Sequence, residues 1–271
     1  MMKPGTTRVS VPRNDPRQLA VIGAPLALAG VGWVVTEVRM TGMDQGPWTD
    51  PGSLGFYVSA WVVMMGAMMF PSIVPMVRTY DLVQCRRSDR APGGTPLFLT
   101  GYLLTWTGFG LAAYGAFALT RSLDLGVLSP DHDGRYIAGA VLLLSAAYQL
   151  TALKDACLRR CRDPLDFVAR NWQPGARGAT AMGLKHGAWC VGCCWALMAS
   201  LFALGVMSVP WMIMFAGLIA AEKLLPSKTL ANRSIALVLI ALGLGIALLP
   251  ARVPGLTPSH RGSPAMGMMS R

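Results

Sequence analysis

Charged residues are scarce in this sequence, and acidic residues are the scarcest. Asp, Glu, Lys and Arg make up 14% of the 271 residues, with 13 acidic against 24 basic residues. An ordinary soluble domain is about a quarter charged, so this composition argues against a water-soluble globular domain. The chain also lacks a P-loop, a phosphorylation domain and any long internal repeat. These absences exclude a transporter driven by ATP and a repeat architecture.

Long apolar stretches are what the sequence has instead. Hydrophobic residues make up 53% of it, and the apolar stretches lie at roughly 19–38, 54–77, 96–120, 136–153, 186–208, 210–225 and 234–250. A helix needs about 20 apolar residues to cross a bilayer, and inside lipid its backbone must satisfy its own hydrogen bonds. We therefore predict an all-α, polytopic transmembrane helical bundle of about seven spans. Six spans is the alternative, because only a short break at "SVPW" separates the fifth and sixth stretches.

Basic residues lie in every other connection between the apolar stretches. The N-terminus and the second-to-third and fourth-to-fifth loops carry many Lys and Arg, whereas the intervening loops are neutral or acidic. The positive-inside rule predicts a multi-pass membrane protein with a cytoplasmic N-terminus. The predicted parts are a cytoplasmic segment 1–18, a transmembrane domain 19–250 and a disordered tail 251–271. This loop pattern makes the lipid bilayer the expected partner and argues against nucleic acid, despite a net charge of +11.

Three cysteines and a histidine share one face of the fifth predicted span. The stretch "KHGAWCVGCCWALM" at 185–198 contains His186, Cys190, Cys193 and Cys194, which fall within about 100° on a helix. All six cysteines are predicted to lie on the reducing side, so structural disulfides are not expected. Small residues also pack membrane helices, but packing gives no reason to select sulfur three times in five residues. We predict a metal or redox function for this face.

Methionines form a second sulfur-rich row in the predicted second span. The stretch "WVVMMGAMMFPSIVPMV" places Met65, Met68 and Met69 shortly before two prolines. At about 1.5 Å per residue, Met69 and Cys194 both lie roughly 12 Å from the inner ends of their spans. Methionine often simply fills irregular cores, which is the alternative. The common depth nevertheless predicts that all three methionines are additional metal ligands.

Three further residues near the inner interface are candidates for accessory roles: Glu222, Cys157 and Cys161. Glu222 lies where a carboxylate needs a partner or a water-filled cavity, so it either pairs with Lys185, Lys154 or an Arg, or supports the cysteine face. Lys223, at the end of its span, is expected to extend into the interface. Cys157 and Cys161 are one helical turn apart in a basic stretch, where they could receive or hand over a metal.

These motifs together resemble a bacterial family described as predicted metal-binding integral membrane proteins. The resemblance covers roughly residues 56–249. It is carried by "MMGAMMFP" at 64–71, "CVGCCW" at 190–195, the Glu222-Lys223 pair and the "YQLTALKDACLRRCRDP" stretch. Some members of that family are labelled copper chaperones. The resemblance implies metal binding and leaves transport undecided.

The sulfur ligands indicate which metal the site would bind, and the metal in turn indicates the function. Thiolate and thioether are soft donors that prefer Cu(I), whereas a Cys₃His set also suits Zn(II), which is the rival ion. The leading prediction is a membrane protein that delivers, inserts or passes Cu(I), with a metal-donating or metal-receiving protein as partner; the sequence does not favour an enzyme. Two alternatives stay open. One is a thiol-disulfide oxidoreductase using Cys190 and Cys193, with Cys157 and Cys161 as relay and a quinone as acceptor; the other is a non-catalytic scaffold subunit.

Overall fold

Helices account for nearly all of the structure. The computed structural model describes residues 16–41, 52–89, 91–122, 134–205 and 208–248, and no strand occurs in these ranges. The helices are α1 (Pro16–Met40), α2 (Leu54–Cys85), α3 (Gly94–Ser122), α4 (Gly134–Gln149), α5 (Ala152–Arg162), α6 (Pro164–Asn171), α7 (Gly175–Leu204), α8 (Val209–Leu224) and α9 (Lys228–Leu248). The predicted all-α bundle is confirmed. Most of the predicted segment 1–18 and all of the predicted tail 251–271 lie outside the described residues.

Five helices are long and apolar enough to cross a bilayer by themselves: α1, α2, α3, α7 and α9. A sixth span arises if α4 and α5 are counted as one broken span, which bends by 68° between them. Helix α8 has only 16 residues, fewer than the roughly 20 that a full crossing needs. By length and composition the described residues therefore provide five or six spans, which fits the alternative of six better than the predicted seven.

The bend between α4 and α5 follows from a change in composition. Helix α4 is apolar, whereas α5 has the sequence "ALKDACLRRCR", which cannot continue through hydrocarbon. Thr151 caps the new helix, because its hydroxyl accepts a hydrogen bond from the backbone N–H of Lys154 at 3.2 Å. Helix α5 then packs against α7 and α8. The bend thereby brings a polar helix against the helix that carries the cysteine face.

Glycines bring α3 and α7 into close contact. A Cβ on Gly187 would lie 2.7 Å from Cβ of Thr105, and one on Gly183 would collide with the carbonyl oxygen of Phe98. Gly183 and Gly187 form the small-xxx-small spacing that allows membrane helices to approach closely. Any larger residue at either position would push α3 away. This contact holds α7 firmly in the bundle and so fixes the height of its cysteines.

Three basic segments meet at one end of the bundle. Arg17 at the start of α1 forms an ion pair with Asp81 near the end of α2, with 3.2 Å between Nη2 and Oδ1. Asp89, in the α2–α3 connection, accepts a hydrogen bond from the indole of Trp172, which follows α6. The basic segments predicted to share one membrane face thus lie at the same end of the molecule. Which face of the membrane this end occupies stays a prediction.

Candidate metal centre

The three cysteines of α7 form a compact buried cluster. The sulfur atoms of Cys190, Cys193 and Cys194 all lie within 4.8 Å of one another, and the residues are at most 1% exposed. The sulfurs of Cys193 and Cys194 are 3.3 Å apart. Two sulfurs that bind the same ion, each at about 2.3 Å, are about 3.8–4.6 Å apart. Small side-chain rotations would therefore let the three sulfurs share a single ion.

An ammonium group contacts this cluster from α8. Lys223 donates hydrogen bonds from Nζ to Sγ of Cys190 at 2.9 Å and to Oγ of Ser72 at 3.2 Å. The expectation that Lys223 extends into the interface is therefore wrong, because its side chain turns into the core and is only 8% exposed. A buried ammonium that donates to a sulfur stabilises negative charge on that sulfur. The contact thus favours the metal-binding form of Cys190.

A buried ion pair also lies beside the cluster. Nζ of Lys154 is 2.8 Å from Oε2 of Glu222, and both side chains are at most 1% exposed. Lys154 also donates to the carbonyl oxygen of Cys193 at 2.5 Å, and the Sγ of Cys194 donates to Glu222 at 3.8 Å. Glu222 therefore pairs with Lys154 and also lies beside the cysteines, and its accessory role in metal binding stays a prediction. The pair ties α5, α7 and α8 together around the cluster.

His186 lies one helical turn before Cys190, inside a group of aromatic rings. Its ring centroid is 5.2 Å from that of Phe167, 5.8 Å from that of Tyr102 and 5.9 Å from that of Phe98. Its Nδ1 is buried and has no hydrogen-bond partner among the described residues. His186 is not part of the three-sulfur group. Its role as a ligand stays a prediction.

The methionines of α2 are buried at the height of the cysteines. Met65, Met68 and Met69 are at most 1% exposed and belong to the same core. Lys223 bridges Ser72 of α2 to Cys190 of α7, which brings these two residues to one level. Met69 lies three residues before Ser72 in α2. Still earlier in α2, the ring of Trp61 stacks at 5.6 Å on the ring of Phe202, which comes after Cys190 in α7. The two helices therefore run in opposite directions.

Because α2 and α7 are antiparallel, Met69 and Cys193 lie on the same side of the Ser72–Cys190 level. Each is three residues, or about 4.5 Å, from it along its own helix. This agrees with the depth estimated from the sequence. Whether the methionine sulfurs bind the same ion as the cysteines stays a prediction.

Helix α5 supplies two further cysteines with different surroundings. The Sγ of Cys161 lies 3.7 Å from the Sγ of Cys193, and Cys161 as a residue is partly exposed. Cys157 packs instead against the backbone of α7 at Gly192, where an added Cβ would lie 2.9 Å from its sulfur. Of the two predicted accessory cysteines, only Cys161 therefore approaches the cluster sulfurs through a direct contact.

Several polar neighbours of the cluster are not among the residues predicted from the sequence. The hydroxyl oxygen of Tyr102 lies 3.1 Å from the Sγ of Cys190, and the side-chain nitrogen of Gln149 donates to Glu222 at 3.5 Å. Lys154 was considered only as a partner of Glu222. Lys154, Cys157 and Cys161 have the i, i+3, i+7 spacing of one helix face, a signal that could have pointed Lys154 toward the cysteines. No comparable signal marked Tyr102, which lies on a different helix.

The fold and the site together define a class of protein: a bundle of membrane-type helices around a buried, cysteine-rich site that could hold a metal ion. A family model described as PpoB2, copper chaperone, matches residues 58–246. The match covers well over half of the chain, and the chain belongs to this family. Comparison with curated proteins and with solved structures gives no match. The family resemblance drawn from the motifs is thus confirmed.

Proposed function

We propose that the protein binds Cu(I) as cargo at Cys190, Cys193 and Cys194 and passes it to another protein. The observation that carries this proposal is the buried group of three sulfurs within 4.8 Å. Soft thiolate ligands prefer Cu(I) to hard cations, and the bundle keeps the sulfurs away from water and oxidants. Membership of a copper chaperone family supports the same ion.

Zn(II) is the rival ion, because cysteine and histidine also form tetrahedral zinc sites. A closed zinc site would stabilise the fold and would not release its ion. The surroundings of the cluster favour a transferable ion over a structural one. A partly exposed cysteine contacts the cluster from α5, and methionines lie at its height in α2. Methionine is a soft donor that suits Cu(I).

The decisive experiment compares the copper and zinc bound to the purified protein with those bound to the variant C190A/C193A/C194A. We expect the variant to lose Cu(I) affinity by about 100-fold, or roughly 2.7 kcal/mol, in a competition titration with a Cu(I) chelator. Cys85→Ala is the matched control, since Cys85 lies at the end of α2 and its thiol donates to Asp81 at 3.6 Å. The control should stay within about twofold of the native affinity.

Two results would contradict the proposal. Equal Cu(I) affinity in the triple variant and the native protein would remove the cysteine cluster from copper binding. Stoichiometric zinc without copper, lost in the triple variant together with thermal stability, would replace the proposal by a structural zinc site.

We also propose that the protein lies in the bacterial inner membrane, with the basic end of the bundle in the cytoplasm. The grouping of Arg17, the α2–α3 connection and the segment after α6 at one end supports it, because positively charged loops stay on the cytoplasmic side. Reporters fused after Asp89 and Gln173 should report cytoplasm, and reporters after Asp50 and Asp131 should report periplasm. Reversed reporters would contradict this orientation. The expected partner is a protein that offers or accepts Cu(I) through sulfur ligands.

A further inference from the structure

A fourth sulfur lies at the edge of the cluster. Cys161, in the last turn of α5, is partly exposed, whereas Cys190, Cys193 and Cys194 are at most 1% exposed. Its Sγ is 3.7 Å from the Sγ of Cys193. This distance is close to the separation of about 3.8 Å expected for two sulfurs that bind one ion in tetrahedral geometry. Cys161 and Cys193 can therefore hold the same ion at the same time.

Two anchors hold Cys161 in this position. At the start of α5, Lys154 bonds to Glu222 and to the carbonyl oxygen of Cys193. At its end, Arg162 donates to the carbonyl oxygens of Glu222 at 2.8 Å and Pro226 at 3.3 Å, at the C-terminus of α8. Both ends of α5 are thus fastened to α8, and the cysteine between them faces the cluster. The approach of Cys161 to Cys193 is a property of the packed helix.

The charge around Cys161 is positive on its exposed side. Arg159 and Arg160 are exposed; Arg159 forms an ion pair with Asp155 at 2.6 Å, and the guanidinium of Arg160 lies 5.0 Å from the ring centre of Trp189 on α7. A Cu(I) ion held by two thiolates is an anionic complex. Clustered cations raise the rate at which such a complex reaches the surface next to them.

Cys157 provides an internal comparison. It lies on the same helix and the same face, one turn earlier, but is 7% exposed and packs on the backbone at Gly192. It has the same chemistry as Cys161 and the same basic helix around it. The two cysteines differ in contact with the cluster and in contact with the surface, and Cys161 alone combines both.

We propose that Cys161 is the exchange residue of the metal site: it takes Cu(I) from a sulfur ligand of an external donor and passes it to Cys193. This inference rests on the proposed function. A Cu–S bond to Cys161 forms while the bond to the donor breaks, and the thiol proton of Cys161 passes to the released donor sulfur. A bond to Cys193 then replaces the bond to Cys161, and the proton of the Cys193 thiol returns to Cys161. Copper stays Cu(I) throughout, and release follows the same steps in reverse.

The test separates the rate of exchange from the affinity. Purified native protein, Cys161→Ala and Cys157→Ala are loaded with Cu(I), and transfer to a charged, water-soluble Cu(I) chelator is followed by its absorbance. We expect C161A to load and release copper about tenfold more slowly, while its equilibrium affinity stays within about twofold of native. C157A should match the native protein in both rate and affinity.

Alkylation provides a readout that needs no substitution. Copper-loaded native protein is treated with iodoacetamide, and the modified cysteine is located by mass spectrometry. Modification at Cys161 should trap the ion and slow its release by about tenfold, because the exchange sulfur is blocked while the cluster is already occupied.

The outcomes distinguish this inference from the proposed function. Native exchange rates in C161A or in the alkylated protein would overturn the inference alone, and so would equal slowing in C157A. A weaker affinity in C161A without slower exchange would make Cys161 a permanent ligand and would also overturn it. Absence of Cu(I) binding by the native protein would overturn both proposals.

Discussion

The methionine row of α2 and the cysteine row of α7 are equally buried but have different neighbours. Met65 and Met69 are 0% exposed, as are Cys190 and Cys194. Charged groups reach the cysteines: Lys223 bonds to Cys190, and Glu222 accepts from Cys194. Next to the methionines, the hydroxyl of Ser72 donates to the carbonyl oxygen of Met69 at 2.8 Å and accepts from Lys223, but no hydrogen bond joins a charged group to a methionine sulfur among the described residues. Burial of sulfur alone therefore does not distinguish the two rows, whereas the charged groups in the core beside the cysteines do.

The physical reason is the cost of the charged groups. Moving an ammonium or a carboxylate out of water costs several kcal/mol per ion, and a buried ion pair only partly offsets this. Ionisable residues inside membrane helices are accordingly rare and mark functional positions. Lys154, Glu222 and Lys223 all lie within contact of the cysteine turn. The comparison of the two rows can be tested by removing these charges and these methionines separately.

The largest effect is expected from Glu222→Gln, which leaves Lys154 as a buried charge without its carboxylate. Breaking one partner of a buried ion pair costs about 3–5 kcal/mol, so the melting temperature in detergent should fall sharply. The matched control is the double variant K154M/E222L, which removes both charges and keeps apolar volume. It should unfold close to the native temperature. A melting temperature of E222Q equal to that of the native protein would show that the ion pair does not stabilise the fold.

The next effect concerns the methionines. Replacing Met65, Met68 and Met69 together by leucine keeps volume and apolarity but removes the thioethers, so the variant should fold. We expect Cu(I) affinity to fall by at least about tenfold, or roughly 1.4 kcal/mol, in a chelator competition. Leucine at the buried Met182 and Met212, away from this row, is the control and should leave the affinity unchanged. Unchanged affinity in the triple variant would assign the methionine row to packing.

A smaller effect is expected from Lys223→Met, which removes the ammonium that donates to Cys190. A hydrogen bond involving a charged group contributes of the order of 1 kcal/mol or more, so Cu(I) affinity should fall by about fivefold. Lys185→Met is the control on α7, because Lys185 is exposed. An affinity for Cu(I) in K223M that equals that of K185M would show that the ammonium does not support the cluster.

Local periodicity explains what could be predicted about the site. The spacing of Cys190, Cys193 and Cys194 is sufficient to place three sulfurs on one helix face, because 3.6 residues per turn applies to any helix. The common depth of Met69 and Cys194 followed from counting along two spans, and the antiparallel contacts of α2 and α7 agree with it. The partner of Glu222 could be narrowed to nearby cations, and Lys154 is that cation.

The direction of a long side chain could not be predicted in this way. Lys223 turns inward because Ser72 and Cys190 from two other helices provide acceptors there. The sequence shows only that the residue lies near the end of an apolar stretch, where a lysine usually reaches water. The same limit applies to Cys157 and Cys161. Both lie on one face of the same basic helix, but their side chains contact different atoms of α7.

Composition and periodicity were enough to predict the helical bundle, its membrane-type helices and its two sulfur rows. These features depend only on the lengths of the apolar stretches and on the helical repeat within single segments. Only the packing of helices decided which groups surround the cysteines. The 68° bend at α5 brings Lys154 and Cys161 to α7, and the short helix α8 brings Glu222 and Lys223. Hydrogen bonds and ion pairs act over about 3 Å, so residues far apart in the chain become neighbours only in the folded bundle.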